Sequence, residues 1–188
     1  MEGSFLLVGL GNPGSEYANT RHNIGAMLLE YIAQQWHAGS FRKKYDGFFT
    51  STDLGNIRVN FLFPQTYMNL SGNSVKKAFK NSNITIDRLI ILHDEADLEF
   101  GKMKIKVGGG LAGHNGLRSI SQQLGTNDFI RIRLGVGRPA SSMTKHVLGR
   151  FSQLERTEIK EIFDTSLKAV EALLLKGPSY AMNTFNGL

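Results

Sequence analysis

Residues 5–25 read FLLVGLGNPGSEYANTRHNIG, and this stretch sets the fold class. Residues 5–10 are apolar and end at glycines, which predicts a short buried strand. After a polar segment, apolar side chains recur at helical spacing and predict a helix over residues 23–36. A buried strand that leads into an amphipathic helix is typical of a domain in which helices pack on a sheet.

The rest of the chain continues this mixture of strands and helices. Gly55-Asn56 lies between two apolar runs and predicts the turn of an antiparallel hairpin. No internal repeat, linker or change of composition divides the chain, so we expect one α/β domain over residues 1–188, a twisted mixed β-sheet surrounded by α-helices. The other predicted strands are 48–53, 57–63, 89–92, 102–107 and 129–136, and the other predicted helices are 72–80, 116–124 and 153–176.

The composition excludes several classes of protein. With 41% hydrophobic and 20% charged residues, the chain has the composition of a globular protein and not of a disordered one. The absence of cysteine excludes disulfides, thiolate metal sites and a cysteine nucleophile, and it fits a reducing cytoplasm, where we expect the protein to act. We expect no signal peptide in residues 1–11 and no membrane span, because no apolar run is long enough.

The charge balance favours an acidic partner. The chain has 22 lysines and arginines against 16 acidic residues, which gives a formal net charge of +6. Nucleic acid is the commonest acidic partner of a basic protein, although charge alone does not identify it.

The first candidate site lies in the polar segment after the first strand. Residues 9–14 match the pattern G-x-G-x-x-G, but Pro13 and the polar run 15–21 separate them from the helix that a dinucleotide site needs. The glycines instead indicate a close approach of the backbone to another group, with Asn12 held at the strand end. His22 is either a surface residue near the helix cap or a base, since a neutral imidazole suits proton abstraction near pH 7.

A second candidate segment, residues 64–72, reads PQTYMNLSG and follows a strand. One interpretation makes Asn69 or Ser71 the N-cap of the next helix. The other gives the loop a part in substrate binding, since capping explains one residue and leaves the rest of the loop without a role. The pattern does not choose between the two.

In residues 89–97, LIILHDEAD, an apolar strand runs into acidic residues. Carboxylates beyond a buried strand commonly line a cleft. One interpretation is a metal site of His93, Asp94 and Asp97, although no second histidine lies at ligand spacing. The other is a carboxylate, Asp94, that orients a histidine as in hydrolytic triads, while Glu95 and Asp97 are solvated.

Residues 108–118, GGGLAGHNGLR, form a second glycine-rich loop, which ends at a helix start. The free backbone N–H groups of a helix start favour an anion, and the alternative is that the glycines form a flexible hinge.

Basic residues alternate with apolar ones on two predicted strands. Lys102, Lys104 and Lys106 share one strand face, and Arg131 and Arg133 share a face of another strand. If the two strands are neighbours, these residues form a basic strip. The alternative is an ordinary solvated face.

Common nucleophile motifs are missing from the sequence. It contains no G-x-S-x-G or S-x-x-K pattern and no cysteine, so a covalent acyl-enzyme has little support. If the protein is a hydrolase, we expect water to be the nucleophile and a histidine to be its base.

Together these motifs resemble the bacterial peptidyl-tRNA hydrolase family, in the order of the family, from residue 5 to residue 149. The combination is very specific. One departure follows Asp97-Leu98, where the family usually has proline and this chain has Glu99-Phe100 before Gly101. The matching pieces are Gly9-Leu10-Gly11-Asn12-Pro13-Gly14 with Tyr17, Thr20-Arg21-His22-Asn23 with Gly25, Pro64 with Thr66, Met68-Asn69-Leu70-Ser71-Gly72, His93-Asp94-Glu95, Gly108-Gly109-Gly110 and Gly113-His114-Asn115-Gly116-Leu117.

The resemblance implies a monomeric esterase without metal or other cofactor and without a membrane partner. Such an enzyme cleaves the ester between a peptide and the 3′ ribose of tRNA, and so recycles tRNA from stalled translation. The resemblance implies that His22 is the catalytic base, that Asp94 orients it and that Asn12 belongs to the catalytic group. The implied substrate-binding residues are Tyr17, Tyr67, Met68, Asn69, His114 and Asn115, and the implied tRNA-binding residues, near the 5′-phosphate and acceptor stem, are Lys104, Lys106 and Arg133.

Three alternatives stay open at this point. They are an RNA-binding module without catalysis, a metal-dependent hydrolase that uses His93 and Asp94, and a dinucleotide-binding enzyme. Turnover of peptidyl-tRNA tests the first, a strong chelator tests the second, and titration with NAD(P) tests the third.

Overall fold

One mixed β-sheet of seven strands forms the centre of the computed structural model, which describes residues 3–188. The strands are β1 (Gly3–Gly9), β2 (Arg42–Lys44), β3 (Gly47–Leu54), β4 (Ile57–Pro64), β5 (Leu89–Glu95), β6 (Met103–Val107) and β7 (Ile130–Gly135). The helices are α1 (Ile24–Gln35), α2 (Ser71–Ser82), α3 (Asn115–Leu124), α4 (Met143–Val147), α5 (Gln153–Lys176) and α6 (Pro178–Phe185). Single 3-10 turns lie at Arg21–Asn23, Met68–Leu70 and Ile86–Arg88.

The strand order is β2-β3-β4-β1-β5-β7-β6. The neighbours β4, β1, β5 and β7 run parallel, so their carboxyl ends meet at one edge of the sheet. The outer strands β2, β3 and β6 pair antiparallel with their neighbours. The chain leaves β1 towards β4 and then crosses to β5 on the other side. In open sheets of this kind, ligands bind beyond the carboxyl ends at such a reversal, which here lies between β1 and β5.

Helices cover both faces of the sheet. On one face, Leu7 of β1 and Leu28 of α1 belong to a core that α5 and α6 complete. On the other face, Val8 packs in a second core with Val75 of α2 and Ile120 of α3. Full burial of a side chain such as Leu or Val stabilises the fold by roughly 1.5–3 kcal/mol. Because consecutive residues of β1 are buried on opposite faces, a shift of one residue in its register would exchange the two cores.

The predicted α/β class and hairpin are confirmed, and α5 has the predicted bounds. β5 extends beyond its predicted end at residue 92 and includes His93, Asp94 and Glu95. The predicted strand at 102–107 begins one position later, at Met103. The short elements β2, α4 and α6 were not predicted. None of the helices in residues 3–188 is long and apolar enough to span a membrane.

Candidate active site

A cleft of about 490 Å³ opens at the carboxyl ends of β1, β4 and β5. Its lining comes from segments that lie far apart in the sequence, and it contains most of the residues expected to form a site. The lining residues are Asn12, His22, Tyr67, Met68, Asn69, 94–97, 112–115, Arg138, Met143, Thr144, Val147 and Leu148.

His22 is held at this cleft by Asp94. Nδ1 of the imidazole lies 3.0 Å and 2.9 Å from the two carboxylate oxygens, so Nδ1 carries the proton and donates it. No group in the described residues bonds to Nε2, and the ring lines the cleft with 12% of its side chain exposed. The ring therefore presents the lone pair of Nε2 to the cleft, as a general base requires.

The close packing of α1 on the sheet brings these two residues together. Gly25 lies in the first turn of α1, and a Cβ there would be 2.1 Å from the carbonyl oxygen of Leu92. The start of the helix therefore rests directly on the end of β5. The 3-10 turn just before α1 carries His22, and Asp94 follows Leu92 by two residues on β5, so they face each other.

His114 holds Asp94 from another direction. Its Nε2 lies 2.8 Å from Oδ1 of Asp94. Nδ1 of the same ring accepts the backbone N–H groups of Gly116 and Leu117 at 3.1 Å and 3.3 Å, and so caps α3. An acceptor at Nδ1 leaves the proton on Nε2, and the neutral ring donates it to Asp94. The donors of this helix start, which were expected to favour an anion, are thus bound by a side chain.

Asp94 stays ionised between these two rings. It is 4% exposed, and burial alone would raise the pKa of its carboxyl. Electrostatic attraction to the two rings, first to His114 and then to His22, and the hydrogen bonds that they donate outweigh burial and hold that pKa well below its usual range. A carboxylate that is ionised near neutral pH can stabilise the positive charge on His22 when this ring takes a proton.

Asn12 is fixed at the end of β1 by three hydrogen bonds. Its Oδ1 accepts the backbone N–H of Met68 at 2.7 Å. Its backbone N–H donates to Oδ1 of Asn23, and its carbonyl accepts from Nδ2 of Asn23, both at 2.9 Å. With Oδ1 engaged, the two N–H donors of Nδ2 remain for the cleft that Asn12 lines. Asn23 was not predicted to have a role of its own, although its place beside His22 was a signal.

The remaining candidate substrate residues differ in where they lie. Asn69 and Asn115 are exposed residues of the cleft lining, Tyr67 is 59% exposed at its rim, and Met68 is buried beneath it. Tyr17 lies in the polar turn after β1 and does not line the cleft.

The capping interpretation of residues 64–72 is wrong. α2 begins at Ser71, and no side chain caps its N-terminus. The hydroxyl of Ser71 donates to the carbonyl of Met68 at 2.7 Å, while Asn69 faces the cleft. The loop therefore folds back on itself and supplies part of the cleft wall.

The side chains of His93, Asp94 and Asp97 do not converge on a metal site. His93 is 1% exposed, and its Nδ1 donates to the carbonyl of Asp94 at 2.8 Å. Asp97 accepts from Nε of Arg138 at 2.7 Å. Burial, and next the electrostatic interaction with His114, lowers the pKa of His93 well below its usual value, so this imidazole is neutral.

A different trio brings its possible ligand atoms within 4.8 Å of one another, namely His22, Asp94 and His114. In this structure both imidazoles donate to the carboxylate, so the trio is a hydrogen-bonded cluster. An ion bound between them would have to displace both protons.

The glycines of residues 9–14 serve packing and do not form a dinucleotide fingerprint. α1 starts well after them, so no helix N-terminus follows at the position of a pyrophosphate. A Cβ on Gly9 would lie 2.6 Å from the carbonyl oxygen of Gly25, and one on Gly11 would lie 2.7 Å from Cγ of Asn23. The predicted close approach is therefore confirmed, and the approaching groups are α1 and Asn23.

The predicted basic strip forms at the β6 edge of the sheet. The register places Lys104 opposite Arg133 and Lys106 opposite Arg131, so all four side chains leave the same face. Arg133 is in turn opposite His93 of β5. Two strand spacings put the Cα of Lys104 about 10 Å from that of His93.

Three residues near the strip differ from expectation. Arg131 is 1% exposed, so it does not belong to a solvated face. Glu95, expected to be solvated, is 5% exposed and accepts from Nε of Arg133 at 3.0 Å. Lys102 precedes β6 and lies outside its paired residues. The exposed basic residues of the strip are therefore fewer than the alternation indicated.

A helix that was not predicted from the sequence, α4, closes one side of the cleft. α4 contributes Met143, Thr144 and Val147 to the lining. Its N-cap is Ser142, whose hydroxyl accepts from the backbone N–H of Lys145 at 3.3 Å. The serine cap was a usable signal, but a helix this short has no periodicity to detect.

Comparison with known proteins identifies the family of this chain. Residues 6–188 match the family model described as peptidyl-tRNA hydrolase. Peptidyl-tRNA hydrolase of Syntrophotalea carbinolica is 49% identical over 183 residues, which cover 96% of each chain. That of Clostridium tetani is 41% identical over 182 residues, which cover 97% of each chain. A crystal structure of peptidyl-tRNA hydrolase from Acinetobacter baumannii has a TM-score of 0.91 and 39% identity, and covers 97% of this chain and 94% of that one. The chain belongs to the peptidyl-tRNA hydrolase family.

Proposed function

We propose that His22 is the general base with which this chain carries out the reaction of its family, hydrolysis of the ester bond between peptide and tRNA. This reaction releases the tRNA from the peptide, so that the tRNA can be used again in translation. One observation carries the proposal: Asp94 binds Nδ1 of His22 at 2.9 Å and 3.0 Å, while Nε2 is open to the cleft. That is the orientation in which an imidazole takes a proton from water.

The reaction follows from this orientation. Nε2 of His22 takes a proton from water as the water oxygen attacks the carbonyl carbon of the ester, and a tetrahedral intermediate forms. The ionised Asp94 stabilises the resulting imidazolium. The bond to the 3′ oxygen of the ribose then breaks, and this oxygen takes the proton from Nε2. A positioned base of this kind typically contributes about 10²–10⁴-fold to the rate.

Asn12 is the donor for the developing oxyanion in this proposal. Its Oδ1 is held by the backbone of Met68, so the N–H groups of Nδ2 have a fixed direction before substrate arrives. Donors oriented in advance are the most effective kind of stabilisation for a tetrahedral intermediate. Asn69 and Asn115, exposed along the cleft, bind the main-chain amides of the peptide, which allows many peptide sequences.

The tRNA contacts are assigned to the basic strip. Lys104, Lys106 and Arg133 lie on one sheet face, with Arg133 on the strand next to β5 and the two lysines one strand further out. An acceptor stem that places its 5′-phosphate on the strip can direct its 3′ end towards the cleft. Attraction between these cations and phosphate weakens as salt is added.

The proposal includes a monomer that acts in the cytoplasm as one domain over residues 1–188. The residues assigned to catalysis belong to segments joined by one sheet, which supports a single domain. The substrate arises from translation, which supports the cytoplasm as the place of action.

The test is single-turnover hydrolysis of purified peptidyl-tRNA by His22→Asn, with His37→Asn as the matched control. The asparagine amide can still donate to Asp94, but it cannot act as a base. We expect the rate to fall by about 10²-fold or more, while the Kd for substrate stays within about threefold. His37 is exposed and does not line the cleft, so its variant keeps the rate of the unchanged protein. A folded His22→Asn protein with near-normal turnover would remove His22 from this role.

The same assay with a strong chelator separates this mechanism from one that uses a metal. His22, Asp94 and His114 have the spacing of a possible ligand set, so the alternative has a definite site. We expect EDTA to leave the rate unchanged. If the rate fell in EDTA and returned with added Zn²⁺, a metal-dependent mechanism would replace the assignment of His22 as general base.

A further inference from the structure

We propose that Arg131 is a positioning residue: it holds the loop 108–113 and thereby sets His114 and Asn115 in the cleft. The inference rests on the proposed function, because it takes these two residues as parts of the hydrolytic site. It assigns Arg131 a task apart from tRNA binding, although this residue lies on the face of the sheet that carries the basic strip.

The burial of Arg131 is unusual for a charged side chain. It is 1% exposed and is among the largest fully buried side chains of the protein. In the described residues, neither Nε nor Nη1 has a hydrogen-bond partner. Burial, and then the charge of Arg133, lowers the pKa of the guanidinium, yet an arginine side chain stays charged at neutral pH. A buried cation of this kind is costly unless its charge is used.

The charge of Arg131 is used on the backbone of the glycine-rich loop. Nη2 donates to the carbonyl oxygens of Gly108 and Gly110, at 3.2 Å and 2.9 Å. The carbonyl between them, that of Gly109, accepts from Nδ2 of Asn127 at 2.7 Å. Three successive carbonyls are thus held by side chains from β7 and the segment that leads into it. In this conformation the loop is therefore bound along its start, and the hinge alternative stays a prediction that the exchange experiment below tests.

The loop depends on such support because its backbone is not part of the sheet. Gly108, Gly109 and Gly113 have φ of 65°, 83° and 72°, and Ala112 has φ of 52°. A left-handed conformation at alanine is uncommon and persists where the surroundings fix it. The loop ends at His114, which bonds to Asp94, so a displaced loop would disturb that bond directly.

The loop also joins the two functional surfaces. It begins after Val107, next to Lys106 of the strip, and it ends at His114 and Asn115 of the cleft. Arg131 on β7 lies opposite Lys106 in the register, and its guanidinium binds the loop where the loop passes over this face of the sheet. The guanidinium therefore fixes the path that connects the tRNA-binding strip to the groups around the ester.

The test compares Arg131→Met and Arg131→Lys on two substrates. One is complete peptidyl-tRNA, and the other is a peptidyl ester of the CCA trinucleotide, which has no acceptor stem. For Arg131→Met we expect kcat to fall about ten- to hundredfold on both substrates, since the hydrolytic groups are misplaced. Arg131→Lys should recover part of kcat, because an ammonium can still bind a carbonyl. A residue that only binds tRNA would instead raise KM for complete peptidyl-tRNA and leave the trinucleotide ester unaffected.

Arg58→Met is the matched control. Arg58 pairs with Asp53 on the β3–β4 hairpin, is exposed, and lies at the opposite edge of the sheet from the cleft. We expect this variant to keep the kcat and KM of the unchanged protein on both substrates.

Amide hydrogen exchange at Gly108 and His114, whose N–H groups donate to the carbonyls of Phe129 at 3.2 Å and of Leu111 at 3.0 Å, gives a readout that does not depend on activity. We expect exchange at least about tenfold faster in Arg131→Met than in Arg58→Met. Asn127→Ala, at a half-buried position, should act in the same direction with a smaller effect, and it tests the loop if Arg131→Met does not fold.

Two results would overturn the inference: unchanged exchange in a folded variant, or faster exchange with unchanged kcat on the trinucleotide ester. Failure of the proposed function looks different. It appears as an active His22→Asn protein, whatever the exchange of the loop.

Discussion

Strands β5 and β6 both carry side chains to which we assign a function, and they hold them in opposite ways. Every residue of β5 is buried between β1 and β7, and Asp94 near its end is bound by two imidazoles. β6 is an edge strand, where the side chain of Asn186 binds the backbone N–H and C=O of Ile105. Its Lys104 and Lys106 are partly exposed.

The difference corresponds to the distance over which each side chain acts. Proton transfer requires heavy atoms at about 2.6–3.2 Å, which needs a position fixed by several contacts. The attraction between an ammonium and a phosphate acts over about 8–10 Å in physiological salt, which an edge strand can provide. We therefore expect changes beside β5 to alter kcat or stability, and changes on β6 to alter KM and its dependence on salt.

The largest effect in this comparison is expected for Asn12→Asp, next to the end of β5. A carboxylate oxygen can still accept the backbone N–H of Met68, which is now bound at 2.7 Å, so the fold is kept. The variant loses the donor for the oxyanion and adds a negative charge beside it. We expect kcat in single-turnover hydrolysis to fall about 10²–10³-fold.

Asn56→Asp controls for the change of charge in this experiment. Asn56 lies in the exposed turn between β3 and β4, at the far edge of the sheet, and its variant should hydrolyse peptidyl-tRNA at the usual rate. If Asn12→Asp also kept that rate, the oxyanion would have a different donor. The kcat would then depend less on the side chains around the end of β5 than we expect.

A smaller effect is expected on stability, from His93 of β5. The pKa of this buried imidazole lies well below 6.5, first because of burial and then because of electrostatic interactions with His114 and Arg131. The hydrogen bond to the Asp94 carbonyl and the charge of the Asp94 carboxylate oppose this shift only in part. The unfolded chain binds a proton on His93 below about pH 6.5 and the folded protein does not. Stability therefore falls as the pH drops below that value, by up to about 1.4 kcal/mol per pH unit from this group.

Urea unfolding at pH 5 and pH 7 measures this dependence, and His93→Asn isolates it. The amide of asparagine can replace Nδ1 as donor to the Asp94 carbonyl, so we expect the variant to have a flatter profile between these pH values. His37→Asn, at an exposed position, should keep the original slope. Equal slopes for His93→Asn and the unchanged protein would show that His93 is not held neutral by the fold.

How much could be predicted from sequence depended on the length and regularity of each segment. The run at residues 5–10, the hairpin and the long helix α5 have clear periodicity or turn signals, and the structure confirms them. β2, α4 and α6 are too short or too polar to show a period. The roles of His22 and Asp94 came from the resemblance to a family, because their contact depends on how Gly25 lets α1 approach β5.

Arg131 and His114 show what a residue pattern leaves open. Alternation placed Arg131 correctly on the face of Arg133, but it does not reveal that a glycine loop covers that position. The motif placed His114 near the site. Its bond to Asp94 depends on how α3 begins, because the Nδ1 of His114 accepts two backbone N–H groups there and so sets the orientation of the ring. Both roles follow from contacts between segments, which local sequence does not encode.

The smallest effect is expected on the edge strand, from Lys106→Ala. This lysine lies two strands away from β5, so we expect kcat at saturating substrate to stay near normal while KM rises. Each lost phosphate contact should reduce the slope of log Kd against log salt by roughly 0.7–0.9. Lys168→Ala on the exposed side of α5 should leave this slope unchanged. Arg133→Ala should reduce the slope as well and also lower stability, because it removes the partner of the buried Glu95, bound at 3.0 Å. A Lys106→Ala protein with the original slope would show that this lysine does not contact phosphate. A kcat reduced as strongly as in Asn12→Asp would contradict the expectation that changes on β6 alter KM and those beside β5 alter kcat.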